Sequence, residues 1–205
     1  MSDENLQELS LELLRSGDRA EIARLVDMHS TKIYRLALKM LANTQDAEDI
    51  LQNTFLKAIL ALPKFEGRSS ISTWLYRIAV NESLMTIRRR KPEIQLASKV
   101  GDNEDSELQL AQFSDWCCLP EGELMSSEAQ GYLDEAIQEL SEKLRLVFIL
   151  RDIEKLSISE TSKALDITET TVKTRLLRAR LKLREELSVY YGERLEGSKS
   201  DEKRD

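Results

Sequence analysis

Residues 92–130 carry nine acidic side chains and a single basic one, Lys99, with no sustained apolar period. A stretch this acidic and this thinly apolar cannot bury enough surface to offset the entropy lost on ordering it. It predicts a mostly extended linker, with Phe113 and Trp116 as the place where a short piece can dock. The linker divides the 205 residues into two parts, each of a size for one small core. Only seven Gly and three Pro interrupt long runs of Leu, Ala, Glu, Lys and Arg, so both parts read as helical. The expected fold class is all-α, with two small helical domains joined by an acidic flexible linker. The expected domains are 1–91, the linker 92–130, a second domain 131–191 and a polar tail 192–205 that frays from Gly192.

Within the first part, residues 18–90 read as consecutive helices. Ile33, Leu36, Ala37, Met40 and Leu41 recur at the spacing of one helix face. Thr44 is read as a cap, with Asp46, Glu48 and Asp49 in the turn where the helix dipole favours acids. Ile50, Leu51, Phe55, Ile59 and Leu62 supply that helix's apolar side, and Pro63 ends it. A Gly- and Ser-containing loop follows, then a helix from about 72 to 90 that stops before Pro92. In the second part Leu133, Ile137, Leu140, Leu144, Val147 and Phe148 restore the helical period. Ser157 and Glu160 have the spacing of a capping box, and that helix ends near Leu165. Thr168 then caps a long basic helix to about residue 187. Two helices joined by a turn of about three residues, the second one basic, form the helix-turn-helix pattern.

The formal net charge is −7, yet charge is distributed in blocks. Residues 63–91 hold seven basic against two acidic side chains, and residues 168–184 hold six against one, +5 in each case, whereas 92–130 sum to −8. Two basic patches around an acidic spacer point to a nucleic-acid partner more strongly than the total argues against one. On a helical wheel Val172, Leu176, Ala179 and Leu183 share the core side of the basic helix. Thr170, Thr171, Thr174 and Arg178 project opposite, flanked by Lys173 and Arg175, with Leu177 towards the same outer face. Short hydroxyls and an Arg near a helix N-terminus suit base edges in a major groove, and flanking cations suit phosphates. An ordinary amphipathic helix with a solvated basic face is the competing reading. In the first part Trp74, Tyr76 and Arg77 lie beside the Ser-rich loop and ahead of Arg88, Arg89, Arg90 and Lys91. Aromatic groups interleaved with cations suit unstacked single-stranded bases, although Trp74, next to Leu75 and Ile78, reads more readily as core.

The order of these segments carries more than any one of them. Asp46-Ala47-Glu48-Asp49-Ile50-Leu51-Gln52-Asn53-Thr54-Phe55, then Thr73-Trp74-Leu75-Tyr76-Arg77-Ile78-Ala79-Val80-Asn81, then the acidic spacer, then Thr171-Val172-Lys173-Thr174-Arg175-Leu176-Leu177-Arg178-Ala179-Arg180, closely resemble the extracytoplasmic-function sigma factors of bacterial RNA polymerase. The resemblance spans about residues 10–188. It implies a factor that joins core RNA polymerase and directs promoter-specific initiation. Asp49, Gln52 and Asn53 would face the β′ coiled coil of the polymerase, and the second domain its β flap. The loop with Phe65, Arg68, Ser69, Ser70 and Ile71, and the helix with Trp74, Arg77 and Asn81, would melt the −10 element and capture a flipped base. Arg88 and Arg89 would hold nearby phosphates. Thr170, Thr171, Lys173, Thr174, Arg175, Leu177 and Arg178 would read the −35 element, in agreement with the wheel. The linker would thread the RNA exit path, and an anti-sigma protein would hold the factor inactive. Asn53 stands where the family usually has Glu, Ser141 where Pro commonly follows the leucine, and Ser70, Ile71 and Ser72 where aromatics are common.

The runner-up is a helix-turn-helix regulator acting without polymerase. It leaves the segments around Asp49 and Trp74 unexplained. An enzyme is the remote reading, since the sole histidine, His29, lies in an ordinary helical stretch and there is no nucleophile–His pairing, phosphate-cradling Gly loop or metal cluster. No catalytic residue, metal site or cofactor is expected. Cys117 and Cys118 read as small buried thiols in a reducing compartment, with a redox or metal sensor as the alternative. No run approaches the ~20 apolar residues of a membrane helix, and the N-terminus lacks a secretory pattern. A bacterial cytoplasmic protein without membrane insertion, and without an added C-terminal sensory domain, is expected.

Overall fold

The structure, a computed structural model, describes residues 9–90 and 127–201, with side chains of the second segment described over 131–188. The expected linker path, a docked piece at Phe113 and Trp116, and the state of Cys117 and Cys118 lie outside the described residues. Among the described residues every regular element is helical: α1 Leu11–Ser16, α2 Arg19–Leu41, α3 Thr44–Ala61, a 3₁₀ turn Leu62–Lys64, α4 Ile71–Arg90, α5 Ser127–Glu139, α6 Glu142–Phe148, a π-helical segment Ile149–Ile153, α7 Ile158–Leu165 and α8 Glu169–Asp201. The chain divides into two compact units, Met1–Lys91 with Ser159–Asp166, and Pro92–Ile158 with Ile167–Asp205. The helix α7 is thus grouped with the first unit. It is eight residues long and buries only Thr161 and Ala164, two small side chains that add little to any core.

In the first unit α2 packs against both α3 and α4, which also pack on each other. Leu25, Ile33, Leu36, Ala37 and Met40 from α2, Ala47, Ile50 and Ala58 from α3, and Leu75, Ala79 and Val80 from α4 are almost fully buried. Asn43, not Thr44, caps α3: its side chain accepts from the Asp46 N–H at 3.0 Å, leaving Thr44 as the first helical residue. Either residue type can cap, and the extended backbone of Asn43 (φ −143°) decides between them. Lys57 pairs with Glu82, and Arg90 with Asp46, tying α3 to α4 at two heights. His29 lies inside, 8% exposed, with its Nε2 unpartnered. Burial, and then Lys32, push its pKa below the usual 6.5.

In the second unit α8 packs on α5 and α6. Its helix α5 starts at Ser127, four residues inside the expected linker. The apolar period from Leu133 to Phe148 breaks at Ser141, which begins α6 without a side-chain cap bond. Arg145 braces that corner instead, donating to Gln138 Oε1 at 2.7 Å, to the Leu140 carbonyl at 3.0 Å and to the Gln138 carbonyl. These bonds satisfy carbonyls that the end of α5 leaves without helical partners. The last helix runs past Gly192 to Asp201, where Glu193, Arg194, Leu195 and Glu196 favour helix, so helix continues through Gly192 into the expected polar tail.

Candidate nucleic-acid interface

The outer face of α8 follows from its register. Val172, Ala179 and Leu183 are fully buried and Leu176 is 7% exposed. Their positions turn Thr170 and Lys173 to solvent, and Thr171, Thr174, Arg175, Leu177 and Arg178 are half-buried around them. Thr168 caps the helix as expected, accepting from the Thr171 N–H at 3.2 Å. Its hydroxyl also lies 2.8 Å from the Thr171 hydroxyl, and Thr174 Oγ1 donates to the Thr170 carbonyl at 3.0 Å. Hydroxyls held in this way keep lone pairs for an outside donor. Arg180, one of the six cations of this segment, is taken inward: Nε and one Nη grip the Asp152 carboxylate at 2.9 and 2.8 Å. A bidentate pair with this geometry fixes α8 to the π-helical segment.

The second surface is the loop before α4, where residues 66–69 run between two anchors. At one end Phe65 is 8% exposed, its ring centroid 4.7 Å from that of Trp74 at a 38° tilt. Phe65 is therefore a buried support, and Trp74 is half-buried on it. The Phe65 N–H donates to the Leu62 carbonyl, and its own carbonyl accepts from Arg15. At the other end Ser70 caps α4, its hydroxyl accepting from the Thr73 N–H at 3.1 Å and lying 2.7 Å from Thr73 Oγ1. Between them Gly67 takes a φ of 75°, the left-handed region in which glycine is unstrained. Arg68, paired with Glu66 across open solvent, points outward, and Ser69 is half-buried; an exposed pair of this kind contributes little to stability. From this loop Trp74, Arg77, Asn81 and Arg88 descend α4 at helical spacing, with Arg77, Asn81, Arg88 and Arg89 exposed and Ile71 half-buried.

A third face lies on α3. Asp49, Gln52 and Asn53 are all exposed, and the stripe continues into Leu56 and Leu60, 60% and 81% exposed. Leu56 and Leu60 are four residues apart and so lie one turn apart on the same helix face. Sequence reading missed these two leucines, although both fall outside the buried register of Ile50, Thr54 and Ala58. It also missed α1 and Arg15, whose only local signals are Ser10 as a cap and Gly17 as a left-handed C-cap.

Comparison with known proteins matches residues 25–93 to sigma-70 region 2 and residues 130–183 to sigma-70 region 4. The chain is 37% identical over 174 residues to the ECF RNA polymerase sigma factor SigW of Bacillus subtilis, covering 85% of this chain and 92% of that protein. The chain belongs to the ECF sigma factors of RNA polymerase. Over 183 residues this sigma factor is also 32% identical to the ECF RNA polymerase sigma-E factor of Escherichia coli, covering 88% of this chain and 93% of that one. Its fold is shared by CnrH, solved in complex with the cytosolic domain of CnrY (TM-score 0.64, 22% identity, 87% of this chain and 95% of that one). It is shared too by the Bartonella quintana sigma factor RpoE, solved with the anti-sigma factor NepR (TM-score 0.60, 24% identity, 82% and 96%). Region 2 thus falls on α2 to α4 and region 4 on α5 to α8. Among the described residues no helix is long and apolar enough to cross a membrane, and no cluster of His, Cys, Asp and Glu could hold a metal ion.

Proposed function

We propose that this sigma factor joins core RNA polymerase and directs promoter-specific initiation in the bacterial cytoplasm, with residues 1–91 and 131–191 as its two working domains. The outer face of α8, with Thr170, Thr171, Lys173, Thr174, Arg175, Leu177 and Arg178, reads the −35 element as duplex. The loop and α4, through Arg68, Ser69, Ser70, Ile71, Trp74, Arg77 and Asn81, open the −10 element, with Arg88 and Arg89 on nearby phosphates. Phe65 acts beneath that surface by holding Trp74. Asp49, Gln52 and Asn53, extended by Leu56 and Leu60, dock on the β′ coiled coil, and the second domain meets the β flap. The factor is not itself an enzyme. An anti-sigma protein holds it inactive, as the relatives solved with partners on them suggest.

The observation that carries this reading is the coincidence of regions 2 and 4, in order in one chain, with two separate basic surfaces of different construction. A helix-turn-helix regulator working without polymerase accounts only for the second match. Run-off transcription with purified core polymerase on a library of promoter fragments tests the function. New transcripts from a defined promoter set are expected. Their absence, with the core shown active through another sigma factor, would overturn the reading.

A further inference from the structure

The helix α1 precedes the region 2 match, which begins at residue 25, yet it is fastened at both ends. The Ser10 N–H donates to the carboxylate of Glu21 at 2.6 Å, and Glu21 is buried on α2 and held in turn by Arg24 at 2.7 Å. Leu14 is 1% exposed. From the last turn Arg15 reaches the carbonyl of Phe65, fifty residues on, with Nε at 2.9 Å and a second N–H of the same guanidinium on the same oxygen. A Cβ built at Gly67 would lie 3.9 Å from Leu11 Cδ1, so α1 also backs the loop two residues further along.

We propose that Arg15 is a positioning residue for capture of single-stranded promoter DNA. The inference rests on the reading of the loop at 65–70 as the −10 surface. Only residues 66–69 separate the Phe65 anchor from the Ser70 cap, so fixing the Phe65 carbonyl fixes where Arg68 and Ser69 stand. A loop ordered before DNA arrives spares the bound state that entropy. A charged, forked donor on a backbone carbonyl is the strong form of such a tether, and Arg15 touches no base itself. Lysine can keep one donor at the same place but not the fork.

The test uses the full chain assembled with core polymerase. One probe is a labelled single-stranded oligonucleotide with the non-template −10 sequence of a promoter mapped by run-off. The other is the duplex upstream half of that promoter. Arg15→Ala is expected to weaken oligonucleotide capture fivefold or more, while affinity for core and for the upstream duplex stays within twofold. Arg15→Lys is expected to recover part of the loss. Two results would overturn the proposal: wild-type capture by Arg15→Ala, or a parallel fall in all three affinities with Arg15→Lys no better, as general loosening of the fold would give. Failure of the wild-type holoenzyme to hold the oligonucleotide would instead bring down the −10 reading of the loop, and this proposal with it.

Discussion

The outer face of α8 and the loop before α4 are both proposed to meet DNA, and they are built by opposite means. On α8 four buried residues, Val172, Leu176, Ala179 and Leu183, set the rotation of a rigid cylinder, and every outward side chain follows from that rotation. In the loop no period exists. Its shape comes from a buried ring at Phe65, a guanidinium reaching in from Arg15, a left-handed glycine at 67 and the cap at Ser70. The difference suits the two forms of DNA. A duplex groove is a fixed shape that a fixed helix can fill, whereas an unpaired base needs a shallow ordered platform onto which it can swing.

The largest expected effect tests whether the loop depends on its buried support. Phe65→Ala removes a ring packed on Trp74 and is expected to cost about 3–5 kcal/mol of stability in urea unfolding; a loss below about 1 kcal/mol would mean that the ring is not an anchor. On α8 the matching change is on the surface. Arg178→Ala is expected to weaken binding to the −35 duplex by about 1–3 kcal/mol, measured against a scrambled fragment. An equal loss on every sequence would move Arg178 from base to phosphate. Ser70→Ala and Thr168→Ala each remove a cap and are expected to cost about 1 kcal/mol. If the loop is the more interdependent region, Ser70→Ala also lowers −10 capture, whereas Thr168→Ala spares the rest of the α8 face.

The smallest effect separates the two units by pH. The pKa of His29 is depressed by burial and by Lys32, so the unfolded chain takes up a proton that the folded one resists. Stability is then full above pH about 6.5 and falls as pH drops through that value. His29 is the only histidine, so this loss is confined to the first unit. Hydrogen exchange at pH 7.5 and 5.5 is expected to show faster opening of α2 to α4 at the lower pH and little change in α5, α6 and α8. His29→Gln is expected to flatten the difference, and a response shared by both units would assign it to other groups.

The same contrast explains what the sequence disclosed. The register of α8 was legible because four apolar positions at helical spacing leave no other rotation, and the helix-turn-helix caps at Thr168 followed from residue type. The helical class and the break at Pro63 were legible for similar local reasons. The choice of Asn43 over Thr44 was not, because both can cap and only the backbone angle separates them. The roles of Arg180 and Phe65 were hidden as well. A basic residue on a basic helix looks solvent-facing until Asp152 is brought beside it, and an aromatic in a polar loop looks available until Trp74 covers it. The tether from Arg15 spans fifty residues, a separation at which no local pattern speaks.

The central claim is that one chain presents a duplex reader and a single-strand reader on separate units. Footprinting of a single promoter complex, formed with core polymerase, tests it most directly, reading backbone protection upstream and permanganate reactivity of thymines around −10 together. The account predicts both signals with the wild-type chain, selective loss of upstream protection with Arg178→Ala, and selective loss of thymine reactivity with Arg15→Ala. Protection without any reactive thymine, or both signals falling together in each variant, would contradict it.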